Sequence, residues 1–290
     1  MASDVSIDIT PRPEGAYRIA VWSVGPGIER KYRRLEALDA NVVVTARAAD
    51  EVRLLRAGKD THTSMAWVGR RPTRGLGVIG FDPTHVKIDG GRWDQRLEWV
   101  MPTLVAGPVT HSLVAVWALH EKAKVQLRTA PPASQPIQML RTYAKWLNRP
   151  TVIAGDFNNN PMLHRNDPNH DMLEFIASLE TAGFVSAYHV FTGLEHGDPR
   201  EPSTRFKPDP IVGVAAMHVD YCFVPNVWVP HLVNVQIGSR EEWARSGRVE
   251  EHVPVVVDFD ADAIQKVNIK ARAARPPSSG LMPDATQLGE

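Results

Sequence analysis

Short apolar runs separated by turn signals organise the chain from about residue 16 to residue 260. Arg18–Val24, Asn41–Thr45, Gly75–Phe81, Leu113–Leu119, Thr151–Ala154, His218–Val224 and Pro254–Phe259 are rich in β-branched residues. Runs of this length and composition predict strands buried in sheet interiors. Ile28–Leu38, Ile137–Leu147 and Met172–Ala182 instead repeat their apolar positions at the helical period, with a polar opposite face. Strands outnumber helices, and the helices fall between strands that can pair. The pattern predicts two packed sheets with helices on their outer faces, a layered α+β sandwich.

The ends read differently. Residues 1–15 hold two prolines and little periodicity, a flexible lead-in. Residues 261–290, with Pro276, Pro277, Ser278, Ser279 and Gly280, are expected to form a disordered tail. Between them, residues 16–260 read as one domain, long enough to bury a sizeable core. The longest apolar runs, Leu113–Leu119 and Ile211–Met217, fall far short of the ~20 residues a membrane helix needs. Residues 1–15 have no apolar stretch of signal-peptide length, so a soluble, cytoplasmic protein without a membrane partner is expected.

Composition narrows the partners. The 290 residues carry 33 Lys plus Arg against 33 Asp plus Glu, a formal net charge of zero. No global basic field is available for non-specific nucleic-acid binding, which favours a small substrate over bulk DNA. A local basic patch stays open, and Arg30, Lys31, Arg33 and Arg34 are read as the solvated face of a helix. The single cysteine, Cys222, excludes a disulfide framework and lies in an apolar run, as a packed core thiol would.

Three segments carry chemistry. In Val152–Asn158, a buried strand ends in Gly155-Asp156-Phe157-Asn158, so a carboxylate and an amide two residues apart can face one side of an extended exit loop. The carboxylate suits a base or metal ligand, and the amide can orient an anion or a water. In His218–Pro225, Asp220 sits within an apolar strand and needs a partner there. Glu251-His252-Val253-Pro254 precedes the last strand, and Asp220 could fix the tautomer of His252. His164, Asp167 and His170 have a metal-like spacing, but Pro161 and Pro168 argue for a solvated loop. Gly75 and Gly77 read as packing or bulge glycines, without a phosphate-cradling loop.

Together these segments resemble the endonuclease/exonuclease/phosphatase (DNase I-like) superfamily over residues 17–260. Trp22-Ser23-Val24 is similar to the family's first-strand motif, Asn41–Arg47 to its second, and Gly77–Gly80 to a third; the Asp156, Asp220 and His252 segments follow in order. The resemblance implies a four-layered αββα sandwich with its site at the ends of the two sheets. It implies a divalent metal, Mg²⁺ or Mn²⁺, held in part by Asp156 and by Glu251. It further implies Asp156 as the water-activating aspartate, Asn158 as its companion, and His252 as a phosphate contact oriented by Asp220. His120 falls near the family's second histidine, and Thr204 in a loop expected to touch substrate.

Departures from the family pattern concern the metal. Ser23 stands where the family has asparagine, and Arg47 where it has its metal-binding glutamate; Glu250-Glu251 replaces Ser-Asp before the histidine. Each unit-charge pair at about 4 Å is worth roughly 4 kcal/mol at an effective dielectric near 20. A carboxylate-to-guanidinium exchange therefore weighs heavily against a dication that protein sites hold by only one or two carboxylates. Either Asp50 or Glu51 supplies the missing carboxylate, or Arg47 itself becomes an anion anchor. Three functions follow. The first is a phosphoester hydrolase, more fitting for a small substrate, with nucleic acid not favoured. The second is a metal-independent enzyme tailoring a small molecule, with Asp156 and His252 as acid–base pair and Arg47 and Ser23 binding substrate. The third is a non-catalytic protein on the same scaffold. The loop from Glu121 to Gln138 is expected to carry specificity.

Overall fold

The computed structural model describes residues 8–91, 93–94, 97, 99–118, 135–144, 147, 149–162, 172–209, 213–244 and 250–273. One six-stranded sheet contains β1 (Ala16–Val21), β2 (Val42–Ala48), β3 (His62–Arg71), β4 (Arg74–Phe81), β13 (Leu232–Ile237) and β15 (Val255–Asp260), in the order β13-β15-β1-β2-β4-β3. A second contains β5 (His85–Ile88), β6 (Val100–Ala106), β7 (His111–Trp117), β8 (Thr151–Asp156), β9 (Phe184–Ser186) and β12 (Asp220–Pro225), in the order β5-β6-β7-β8-β12-β9. β1–β2 and β7–β8 pair in parallel; the other pairs in both sheets are antiparallel. A small sheet, β11 (Gly213–Met217), β10 (Arg205–Asp209) and β14 (Glu251–His252), adjoins them.

Every predicted strand and helix is present, with ends shifted by a few residues. The alternation of side chains explains the layering. Ile19, Val21, Val42 and Val44 of the first sheet meet Leu113, Ala115, Val152, Ala154 and Cys222 of the second in the central core. The opposite face of the first sheet, including Ala20, Val43 and Val256, is covered by Ile28, Tyr32 and Leu35 of α1 (Ile28–Glu36). Val114, Val116, Ile153 and Phe223 on the outer face of the second sheet pack under α3 (Gln135–Tyr143) and α4 (Met172–Thr181). The result is the expected αββα order, because the central strands bury both faces. Short α2 (Glu51–Arg56), α5 (Ala187–Thr192) and α6 (Arg240–Trp243) occupy connections.

The C-terminal expectation needs correction at its start. Residues 261–273, read as part of a disordered tail, form helix α7 (Ala261–Ala273). Its first turn is capped by Asp260, whose carboxylate accepts the Ala263 N–H at 2.9 Å. Ile264 is fully buried, and the Asn268 amide oxygen accepts the Trp228 indole N–H at 2.9 Å. Tertiary packing thus orders a segment whose composition looked too polar to fold. Among the described residues, no helix is long and apolar enough to cross a membrane.

Candidate active site

Three segments place the polar cluster at one end of the sandwich. β8 runs to its last residue, Asp156, next to β12, which starts at Asp220, and the two aspartates are direct antiparallel partners. Gly155 is the residue that lets β8 end this way. Its φ is +148°, and a Cβ there would lie 1.9 Å from the Val116 carbonyl oxygen on β7. Only glycine fits so close to the neighbouring backbone. His252 arrives from β14, opposite Arg205 on β10. Its carbonyl accepts the Trp22 indole N–H at 2.9 Å, so the first-strand tryptophan fixes the histidine backbone from the other sheet.

The contacts are short and dry. Asp220 Oδ2 lies 2.7 Å from His252 Nδ1, and Asp156 Oδ2 lies 3.9 Å from His252 Nε2. All three residues are at most 2% exposed. Two like-charged partners across a ladder repel; His252 between them offsets that repulsion. Burial alone would lower the His252 pKa, but the charges of Asp220 and Asp156 and hydrogen bonds to Asp220 and Glu250 hold it up at about 9. Burial pushes Asp156 up to about 6, against His252 and Arg47 and with Asp220.

Arg47 closes the site from β2. Its backbone has φ +60° at an irregularity in the β2–β4 pairing, which turns the side chain out of the ladder. One guanidinium nitrogen lies 2.7 Å from both Glu250 Oε1 and His252 Nε2, and Nε lies 3.4 Å from Ser23 Oγ. Ser23 Oγ in turn lies 3.4 Å from Asp156 Oδ2. Arg205 holds the other Glu250 oxygen at 3.2 Å. Glu250 is kept well below the ordinary carboxylate range, first by its hydrogen bond with His252 and, against burial, by the charges of Arg47 and Arg205.

The sequence expectations fare unequally here. Asp156, Asp220, His252, Ser23 and Arg47 come together. Asn158 adjoins them: its N–H donates to Asp156 Oδ1 at 2.9 Å and its amide to the Ala118 carbonyl at 2.8 Å. Thr204 is fully buried, and its Oγ1 accepts the N–H groups of Val219 and Asp220 at 2.9 and 3.1 Å. Through these two bonds it positions Asp220. Glu251 is outside the metal-ligating group, and its charge acts on Lys31 instead; Glu250 takes the place in the cluster. Asp50 caps α2 by accepting the Arg53 N–H, and Glu51 faces His62, so neither replaces the missing carboxylate. His120, His164, Asp167, His170 and residues 121–134 of the expected specificity loop lie outside the described residues. Sequence reading missed Arg205, the β10 partner of His252, and Asn160. The Asn160 amide reaches Glu201, the His218 carbonyl and Tyr221 and ties the two site strands together.

Asp156, Asp220 and His252 offer ligand atoms within 4.8 Å of one another, a set able to hold a metal. Asp156 and Asp220 flank His252, Asp220 Oδ1 has no hydrogen-bond partner among the described residues, and Glu250 pairs with Arg47 and Arg205. Arg47 puts a guanidinium where the resemblance implies a metal-binding carboxylate, which counts against a dication there.

No protein-family model matches the sequence, and no curated protein matches it. Solved structures do. An AP endonuclease from Archaeoglobus fulgidus superposes with a TM-score of 0.58 at 15% identity, over 84% of this chain and 99% of that one. The 3′ phosphatase NExo from Neisseria, bound to product DNA hairpin, gives 0.56 at 14% identity, over 84% and 99%. The endonuclease/exonuclease/phosphatase from Beutenbergia cavernae gives 0.53 at 14% identity, over 86% and 72%. The chain has the DNase I-like fold. The Asp156–Asp220–His252 cluster stands where β8 ends and β12 begins, with Arg47 beside it.

Proposed function

We propose that this DNase I-like chain is a phosphoester hydrolase that works without a resident metal, with Arg47 supplying fixed positive charge. The observation that carries the reading is the buried Asp220–His252–Asp156 line, 2.7 and 3.9 Å between successive groups, with the Arg47 guanidinium against its central imidazole. Guanidinium forks suit phosphoryl oxygens, and preorganised charge in a dry site counts for more than in water.

The 3.9 Å between Asp156 and His252 is too short for the two to flank a phosphorus on opposite sides. They act from one side. Asp156, ionised near neutral pH, takes a proton from the attacking water, which Asn158 helps to seat. His252 and Arg47 hold the phosphoryl oxygens as charge builds on them. The P–O bond to the leaving group breaks on the far face, the leaving oxygen takes a proton from solvent, and Asp156 returns its own to solvent. Asp220 keeps the imidazole in place.

The test is hydrolysis of a chromogenic phosphodiester in excess EDTA by the wild type, Asp156→Asn and His252→Asn. Turnover in EDTA that falls by about 10²–10⁴ in each variant is expected. Turnover that EDTA abolishes, or that survives both substitutions, overturns the reading.

A further inference from the structure

Arg47 holds a disfavoured backbone. A non-glycine residue at φ +60° persists only where its surroundings fix it. In the β2–β4 ladder it stands unpaired between Ala46, opposite Leu76, and Ala48, opposite Gly75. Just after it, two bonds from the β3–β4 hairpin hold the chain. The Trp67 indole N–H donates to the Ala48 carbonyl at 3.2 Å, and the Asp50 N–H donates to the Pro72 carbonyl at 2.8 Å.

The first of these bonds crosses a whole strand. Trp67 lies on β3, and β4 runs between β3 and β2. The indole passes over β4 at Gly75, which pairs with Gly69 on one side and Ala48 on the other. A Cβ at Gly69 or Gly75 would overlap the ring, so the two glycines form the track along which it reaches β2.

We infer that Trp67 is a positioning residue: its indole, laid across Gly75, anchors the chain beside the bulge and so keeps the Arg47 guanidinium on His252 Nε2. Ala48 is fully buried, and its carbonyl without this donor is a buried acceptor that has lost a bond. Relief comes by relaxing the bulge into ordinary alternation, which carries the side chain at 47 to the outer face it would share with Val43 and withdraws it from His252. The consequence for catalysis rests on the hydrolase reading above; the anchoring itself does not.

The experiment follows the Arg47 Nε–H, which faces Ser23 Oγ at 3.4 Å, by NMR of protein labelled with ¹⁵N-arginine and assigned through the backbone. The Arg18 Nε–H, bonded to Asp258 in the core, is the internal reference. In Trp67→Phe, exchange of the Arg47 Nε–H with water is expected to quicken by about fivefold relative to Arg18, the factor equivalent to the ~1 kcal/mol a protein hydrogen bond contributes. A general loosening of the fold moves both signals alike. Unchanged exchange at Arg47, or equal acceleration at Arg18, overturns the inference. Thermal melts establish that Trp67→Phe folds; if it does not, benzothienylalanine at position 67, which keeps the shape of the ring and lacks its N–H, is read in the same way. On the phosphodiester, Trp67→Phe is expected to lower kcat/KM by a similar factor in the wild type and to change nothing in Arg47→Met. An undiminished effect in Arg47→Met also overturns the inference. A wild type that cleaves no diester removes the hydrolase reading alone, and the exchange rates still decide the anchoring. Cleavage by the wild type with Arg47 exchange unmoved in Trp67→Phe removes this inference alone.

Discussion

Arg47 and His252 share a 2.7 Å contact between a guanidinium N–H and Nε2. The guanidinium can only donate, so in this contact the ring accepts at Nε2 and donates from Nδ1 to Asp220. The two aspartates favour the imidazolium, whose Nε2 would carry a proton of its own. Imidazolium formation and the Arg47 contact therefore exclude one another. On the proposed hydrolase reading, an anion that draws Arg47 aside would free Nε2 to protonate and to bind a phosphoryl oxygen.

Exchange of the charge at position 47 should reverse the metal behaviour. Arg47→Glu swings the local charge by two units and restores a carboxylate facing Asp156 and His252. The strained backbone costs glutamate no more than it costs arginine, since both are non-glycine residues at φ +60°. Calorimetry is expected to show no Mn²⁺ or Mg²⁺ binding to the wild type at millimolar metal and clear binding to Arg47→Glu. Wild-type binding that disappears in Asp156→Ala would sink the metal-free reading.

The pH dependence follows from the two shifted groups. Asp156 must be ionised to accept a proton, so activity rises with pH through about 6. His252 must be protonated to hold a phosphoryl oxygen, so activity falls as pH passes about 9. A bell-shaped profile of kcat/KM with limbs near those values is expected. A profile that falls already between pH 6 and 7 would mean that the neutral imidazole of the Arg47-bound state dominates.

The sandwich was legible because its central strands bury both faces and so read as continuous apolar runs. β3 and β6 escaped: the first alternates polar residues, and the second carries Pro102. Asp156, Asp220 and His252 were legible because each stands beside a run that fixes its place. Glu250 was not, since sequence cannot tell which of two adjacent glutamates points inward.

A fully buried ion pair also lies away from the site. Arg18 and Asp258, on adjacent strands β1 and β15, are fully buried and joined by two hydrogen bonds of 2.6 and 2.8 Å. Removing one partner strands a charge in the core. Asp258→Ala is expected to lower the unfolding free energy by about 3–5 kcal/mol, measured by urea denaturation. Arg18→Met/Asp258→Leu should regain much of that loss, because the desolvation cost leaves with the charges. A double variant no better than Asp258→Ala would mean that the hydrogen bonds of Arg18 to the Thr10 and Leu38 carbonyls matter more than its charge.

Gly155→Ala tests how the site is held open to chemistry. The new methyl would meet the Val116 carbonyl at 1.9 Å, and the contact is with backbone, next to the last residue pair of the parallel β7–β8 ladder. Neither a rotamer change nor a flexible side chain can relieve that overlap, and alanine at φ +148° is strained as well. β8 must therefore separate from β7 next to Asp156, carrying the carboxylate away from His252. Overpacking of this kind costs about 1–3 kcal/mol, and more when backbone must move. The expected outcome is a lowered melting temperature together with loss of activity in whatever protein stays folded. Wild-type activity in a soluble Gly155→Ala protein would show that Asp156 does not depend on the close approach of β7 and β8.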